Sequence, residues 1–470
     1  MNRSTGRIEL KRDLGPWAAG SIVVGTVIGS GIFLVPHDMV AAVGAPALVF
    51  AVWVFGGLLT LAGSLSYAEL AAALPEAGGE YAYLREAYGP LWGFLYSWTE
   101  MWVAKSGSIA TLATGFAIYL TTFFPTLDGV VWKTSGTIGL EVRYGQLLAI
   151  ALILALAWLN YYGVKLGGEV QTAITVLKVA LIAAIVVVGF AFGTAHPHAR
   201  QAGVLAHWTG FSAALVAALW AYDGWNNVTM VASEIKEPQR NLPRALIAGT
   251  LAVIAIYILA NAAYFRVLSA AEVGANPRVA GEMMQRIAGT RGAEAVSLAA
   301  LISIFAALNG SILSGARVPY AAARDGLFFR SLATVNERYR TPGASILFLS
   351  AWAAALVLTG GYRHLFTLVI FPSWLVYGMS TAGVIVLRRK RPDLPRPYRT
   401  LGYPVVPAIF VLVAVAFIIS TLYNAPLESL AGVGLIALGL PFYAYWRRQA
   451  EANRSKIGRL SRGARKSTNN

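Results

Sequence analysis

Apolar residues gather into twelve stretches of this chain, at about 14–42, 46–72, 90–123, 146–163, 169–193, 209–233, 242–268, 295–322, 343–360, 365–388, 403–422 and 427–447. Each approaches or exceeds the length of about 20 mainly apolar residues that an α-helix needs to cross a bilayer. Two stretches are interrupted midway by polar or small residues. The first is broken at Gly29-Ser30-Gly31, the sixth at Asp223-Gly224-Trp225-Asn226. The offset between Gly29 and Gly224, 195 residues, is also that between Leu14 and Thr209, where the two stretches begin. A helix broken near the bilayer midplane leaves N–H and C=O groups that hydrocarbon cannot pair, so such a break survives only inside protein or beside a wet cavity. Two breaks in register point to a binding site shared by two related halves.

The spacing divides the chain into five segments. Residues 1–13 form an N-terminal segment, 14–193 a first repeat of five spans and 209–388 a second. Residues 403–448 add spans eleven and twelve, and 449–470 form a basic tail. Five is odd, so the second repeat must enter the membrane upside down relative to the first, as in an inverted-topology repeat. Two parallel six-span halves would place a long connection after span six, where only about 234–241 is available. The expected fold is therefore an all-α integral membrane protein with a five-plus-five repeat.

Composition agrees. The chain is 57% hydrophobic and 13% charged, with a mean hydropathy of +0.60; soluble domains carry about 25% charged residues. The first stretch exceeds a signal-peptide core and contains polar breaks, so it reads as a retained span. There is no cysteine, which excludes disulfides and thiolate metal sites. Five scattered histidines make no metal cluster, and His196 and His198 read as a polar loop. The net charge of +16 is spread unevenly: segments on one side hold 27 Lys/Arg and those on the other hold 7. That asymmetry follows the positive-inside rule, places both termini in the cytoplasm of a cell membrane and makes a nucleic-acid partner unnecessary.

Gly25, Gly29 and Gly31 permit positive φ and close backbone approach at the first break. A half-helix starting just after Gly31 presents N–H groups and a positive dipole end suited to a carboxylate, and Ser30 adds a hydroxyl. The same glycines would serve as a packing stripe; the second break favours the site. There, an Asp at a helix centre costs about 2.5–3.5 kcal/mol, so Asp223 is expected to face a cavity. Carbonyls freed nearby would receive an ammonium. The pair of breaks matches a zwitterionic α-amino acid. Trp220 could close over its side chain or simply pack. Lys178, about ten residues into span five, either reaches the carbonyls of span one, where a sodium ion could otherwise bind, or snorkels to an interface. Glu100 and Lys105 are spaced poorly for an i,i+4 pair. Glu69 and Glu234 read as gate or interface contacts.

The segments Val23-Val24-Gly25-Thr26-Val27-Ile28-Gly29-Ser30-Gly31-Ile32-Phe33, Pro75 to Tyr83, Ala221-Tyr222-Asp223-Gly224-Trp225-Asn226, Ser233-Glu234 through Asn241-Leu242-Pro243-Arg244-Ala245 and Arg324-Asp325-Gly326-Leu327 occur in this order. Together they resemble the amino acid–polyamine–organocation (APC) superfamily, and within it the L-type amino-acid transporter (LAT) group, over about 14–448. The resemblance implies twelve transmembrane helices in the LeuT/APC fold, with helices one and six broken. It implies sodium-independent amino-acid exchange by alternating access, without a cofactor. Substrate carboxylate is assigned to Ser30 and Gly31, and ammonium to the carbonyls of Val27, Trp220 and Asp223. Trp220 becomes the gate, and Lys178 takes the sodium position. The expected binding set is Val27, Gly29, Ser30, Gly31, Trp220, Asp223 and Asn226.

Heteromeric relatives carry a cysteine in the loop after span three; about 124–145 has none here, so no disulfide-linked heavy chain is expected. A neutral-amino-acid exchanger leads, followed by a cationic amino-acid or polyamine exchanger and by proton-coupled uptake. An enzyme would need a nucleophile–base pair or metal cluster, and the spans offer neither.

Overall fold

The computed structural model describes residues 9–133, 141–194, 210–359, 362–424 and 426–451. His196 and His198, and nearly all of the tail, lie outside the described residues. The helices fall on the apolar stretches. The first stretch is split into α1 (Pro16–Val27) and α2 (Gly31–Val43). Next come α3 (Pro46–Ala73), a short α4 (Glu80–Tyr88) and α5 (Pro90–Thr99), which runs through a π-helical turn at Glu100–Ala104 into α6 (Lys105–Leu120). α7 (Tyr144–Tyr161) and α8 (Val164–Phe192) complete the first half. The second broken stretch gives α9 (Phe211–Ala221) and a single turn, α10 (Asn227–Met230). It is followed by α11 (Pro238–Val267), α12 (Ala270–Ala275), α13 (Val279–Gly315) and α14 (Arg317–Arg324). α15 (Gly343–Val357), α16 (Tyr362–Lys390), α17 (Val405–Asn424) and α18 (Pro426–Ala437) end the described chain, with helix resuming over 439–451. Among the described residues, nine helices are long and apolar enough to cross a membrane.

Prolines at the first turns of α1, α3, α5 and α11 fit a position whose N–H has no intrahelical partner. The all-α expectation needs one amendment. After α6, β1 (Val130–Lys133) and β2 (Glu141–Arg143) pair antiparallel, with Trp132 opposite Val142; β-branched and aromatic residues favour that pairing.

The broken first stretch lies at the centre, where α1 packs against α8, α11 and α13. Its most apolar window is 78% buried, whereas that of α17 is 22% buried. Val176 and Val187 on α8, and Leu412 and Ile419 on α17, are large apolar side chains left well exposed, as a surface facing hydrocarbon requires.

Three polar ties fasten the end where α1 begins. Leu14 N–H donates to Glu234 O at 3.0 Å, and Lys236 N–H donates to Leu14 O at 2.9 Å. The start of the first broken stretch is thereby pinned to the segment following the second. Glu234 receives Arg317 in a two-pronged ion pair, at 2.7 and 3.0 Å, with both side chains fully buried. Arg388 grips Glu69 the same way at 2.9 and 2.6 Å, and Thr400 N–H adds a third donor at 2.8 Å. Near the other end, a capping box of Ser269 and Glu272 starts α12. Arg286 beside Glu272 holds that carboxyl down at about 2, so this cap stays charged at any ordinary pH.

Removing one partner of a buried ion pair strands the other, at a cost of about 3–5 kcal/mol. Arg317→Met is expected to destabilise the detergent-solubilised protein by about that amount, and Arg317→Met with Glu234→Gln by markedly less. Thermal unfolding of the three proteins checks it; equal losses in the single and double variants would refute the pairing.

Candidate functional site

At the first break the chain leaves helical geometry at Ile28 (φ −75, ψ 92) and re-enters it at Gly31. Three side chains from other helices meet the carbonyls this exposes, and two more reach a carbonyl one turn earlier. Lys178 of α8, fully buried, donates its ammonium to Gly25 O at 2.6 Å and Ile28 O at 2.5 Å. Ser303 of α13 lies 2.9 Å from Ile28 O and 3.0 Å from Gly29 O. The Tyr257 hydroxyl of α11 sits between Val27 O, at 3.1 Å, and Ala221 O, at 2.7 Å. Gln171 and Thr175 of α8 approach Ser21 O at 3.4 and 3.3 Å.

The two breaks touch. Thr26 Oγ1 is 2.8 Å from Gly224 O, and Tyr257 bridges one carbonyl from each. Of the two roles expected of the glycines, positive φ and close approach, the structure shows the second at Gly31 and Gly25. Gly25, Gly29 and Gly31 do not take positive φ; Gly224 does, at 97°. Gly31 supplies close approach instead, since a Cβ there would lie 2.8 Å from Ala221 Cβ and 2.9 Å from Ala221 Cα. Gly25 likewise has Gln171 and Thr175 against it.

Between the breaks lies a cavity of about 30 Å³. Val27, Gly29, Ser30, Gly31, Trp220 and Asp223 all line it, joined by Ser108 and Leu112 of α6, Asn227 of α10 and Ser311 of α13. Asn226 turns away: its amide donates to Glu80. α2 starts at Gly31, which lines the cavity, and a helix start offers positive potential there.

A polar layer lies behind Asn227. Asp223 Oδ1 accepts from the Tyr377 hydroxyl at 2.6 Å. Glu80, fully buried, accepts from Asn226 and, at 3.1 Å, from Tyr96. Lys105 donates to Asn227 Oδ1 at 2.7 Å and lies 4.0 Å from Glu100. That last contact depends on the π-turn. In an α-helix, residues five apart differ by about 140° around the axis; i→i+5 hydrogen bonding brings them to one face. The Lys105 amide does bond Glu100 O.

Glu80, Asn227, Tyr257, Tyr377, Ser108 and Ser311 were not singled out from the sequence. Tyrosines and serines within apolar stretches carry no charge to betray them. Amides could have been noticed. Asn160, Asn309 and Gln171 form a buried ladder with two 2.9 Å links across α7, α13 and α8, and three such amides inside spans are a recognisable signal.

An apolar helical bundle with two paired helix breaks around a small polar-walled cavity is the architecture of a transporter rather than an enzyme. The pattern of the Amino acid permease family matches residues 14–438. The serine/threonine exchanger SteT of Bacillus subtilis (strain 168) is 33% identical over 92% of this chain and 96% of its own. The b(0,+)-type amino acid transporter 1 of Mus musculus is 32% identical over 94% and 90%. The large neutral amino acids transporter small subunit 2 of the same species is 32% identical over 94% and 83%. The chain belongs to the amino acid permease family of the APC superfamily and is a multi-pass membrane protein that transports amino acids.

Overpacking a tight contact costs about 1–3 kcal/mol. Gly31→Ala is expected to lose that much stability by driving the breaks apart. Gly29→Ala, whose Cβ would meet Leu112 at an ordinary 3.6 Å, is expected to lose far less. Melting temperatures in detergent check the contrast, and equal losses would remove the Gly31–Ala221 contact from the account.

Proposed function

We propose that this protein is a sodium-independent exchanger of neutral L-amino acids, working by alternating access across the plasma (inner) membrane with both termini cytoplasmic. The observation that carries the reading is the Lys178 ammonium on Gly25 O and Ile28 O. A fixed cation there occupies the carbonyls a sodium ion would need. The chain crosses the membrane twelve times in this reading. Residues 14–193 and 209–388 are the inverted repeats, 403–448 carry the last two spans, and 1–13 and 449–470 are cytoplasmic.

The substrate carboxylate meets Ser30, Gly31 and the first-turn amides of α2. The ammonium meets carbonyls near Val27, Trp220 and Asp223. Val27 O shares Tyr257 with Ala221 O, so it keeps lone-pair capacity for this second donor. Trp220 closes the cavity, and Gly29 leaves room for the backbone. Asn227 takes the wall position expected of Asn226, which acts through Glu80. Ser30, Ser108, Ser311 and Asn227 around a small cavity favour short or polar side chains. Asp223 is held by Tyr377, which supports neutral over cationic substrates. With no cysteine, no heavy chain can be disulfide-linked to this chain.

Counterflow in proteoliposomes with a panel of labelled amino acids tests the reading. Serine, threonine and alanine are expected to exchange at the same rate with and without sodium. Strict sodium dependence would overturn the role of Lys178. Asp223→Asn is expected to leave discrimination against arginine unchanged; arginine exchange in the parent protein that this variant abolishes would establish the cationic alternative instead.

A further inference from the structure

Among the described residues, three carboxylates and a single ammonium share the polar layer behind the cavity. Glu80 comes from α4, Glu100 from the π-turn, Asp223 from the second break and Lys105 from the start of α6. The other neighbours of the π-turn do not balance them. Tyr67 of α3, Tyr96 of α5 and Tyr377 of α16 contribute neutral hydroxyls. Arg317 of α14, which packs on the π-turn, is committed to Glu234.

The three acids are not equally equipped to hold charge. Glu80 has Asn226 and Tyr96 as donors, with Thr229 at 3.5 Å, and Asp223 has Tyr377. Glu100 is 8% exposed, and its Oε2 has no hydrogen-bond partner among the described residues. Its one opposite charge, Lys105, lies at 4.0 Å while bonded to Asn227 at 2.7 Å. An ionised carboxylate is an acceptor at both oxygens, and a buried one without donors takes up a proton instead.

We infer that Glu100 is a proton-binding residue of the transport cycle, loaded when the cavity is empty and unloaded when an amino acid enters. The inference rests on the reading of the cavity as an amino-acid site. Asn227 is the link, because it lines the cavity and also holds Lys105. A substrate that engages Asn227 frees the Lys105 ammonium to turn to Glu100, whose O–H proton then leaves to water on the open side. The Glu100 oxygen keeps the bonding electron pair and becomes the anion paired with Lys105. A proton fits better than a cationic side chain. Glu100 is not among the residues that line the cavity and lies behind its wall, so a substrate side chain in the cavity does not meet it. Proton and amino acid thus occupy the carrier alternately, and a proton can replace the second amino acid on the return step.

The test adds serine, threonine or alanine at saturation to the purified full-length protein in weakly buffered detergent, with a pH indicator present. About one proton per bound amino acid is expected to appear, and apparent Kd to rise about tenfold per unit of acidification while the free protein is loaded. Glu100→Gln is expected to bind, shown by a ligand-induced rise in melting temperature, with no proton release and a flat pH profile. Glu100→Asp is expected to restore release. No release from the parent protein, or undiminished release from Glu100→Gln, overturns the proposal. If no amino acid raises the melting temperature or supports counterflow, the substrate reading itself fails, and this inference with it.

Discussion

Backbone groups opened by a broken helix have nowhere to turn in hydrocarbon, and that constraint organises the protein. The carbonyls of Gly25, Val27, Ile28 and Gly29 are met by Lys178, Tyr257 and Ser303. Those partners come from α8, α11 and α13, the same helices that pack around α1. Satisfying the break and assembling the bundle are therefore one event. Where lipid is as apolar as leucine, polar contacts and close packing of small residues supply what water-driven burial supplies elsewhere.

The same contacts set what can move. The break carbonyls are tied chiefly by side-chain donors, which can exchange partners without unwinding a helix. The end near Leu14 is closed by two backbone hydrogen bonds, one fully buried ion pair and one part-buried ion pair. A buried ion pair adds little net stability while fixing geometry firmly. Such pairs suit a closure that must be definite and yet reversible.

Much of this was legible in the chain. Hydropathy located the helices because bilayer thickness fixes their length, and glycine and aspartate marked the breaks because both are costly there. Lys178 announced itself as a charge deep in an apolar stretch. The roles of the glycines were less legible, since close approach and positive φ call for the same residue and only coordinates separate Gly31 from Gly224. Asn226 and Asn227 differ by about 100° around a helix, so a slight change of local winding decides which one faces the cavity. Glu100 and Lys105 were opaque because their pairing requires a π-turn, and no residue type encodes one. The β1–β2 hairpin was hidden in a loop noted only for lacking cysteine.

The π-turn has a consequence for comparing chain lengths. Tyr96 and Glu100 lie four residues apart before it, and Lys105, Ser108 and Leu112 follow at intervals of three and four. The extra residue re-phases two ordinary helical stripes into one continuous stripe. Deleting one residue between 100 and 104 would give a regular helix that keeps the same stripe, with an i,i+4 pair in place of the i,i+5 pair. A gap of one position here, in any alignment with a shorter permease, thus marks a change of winding and not a loss of site.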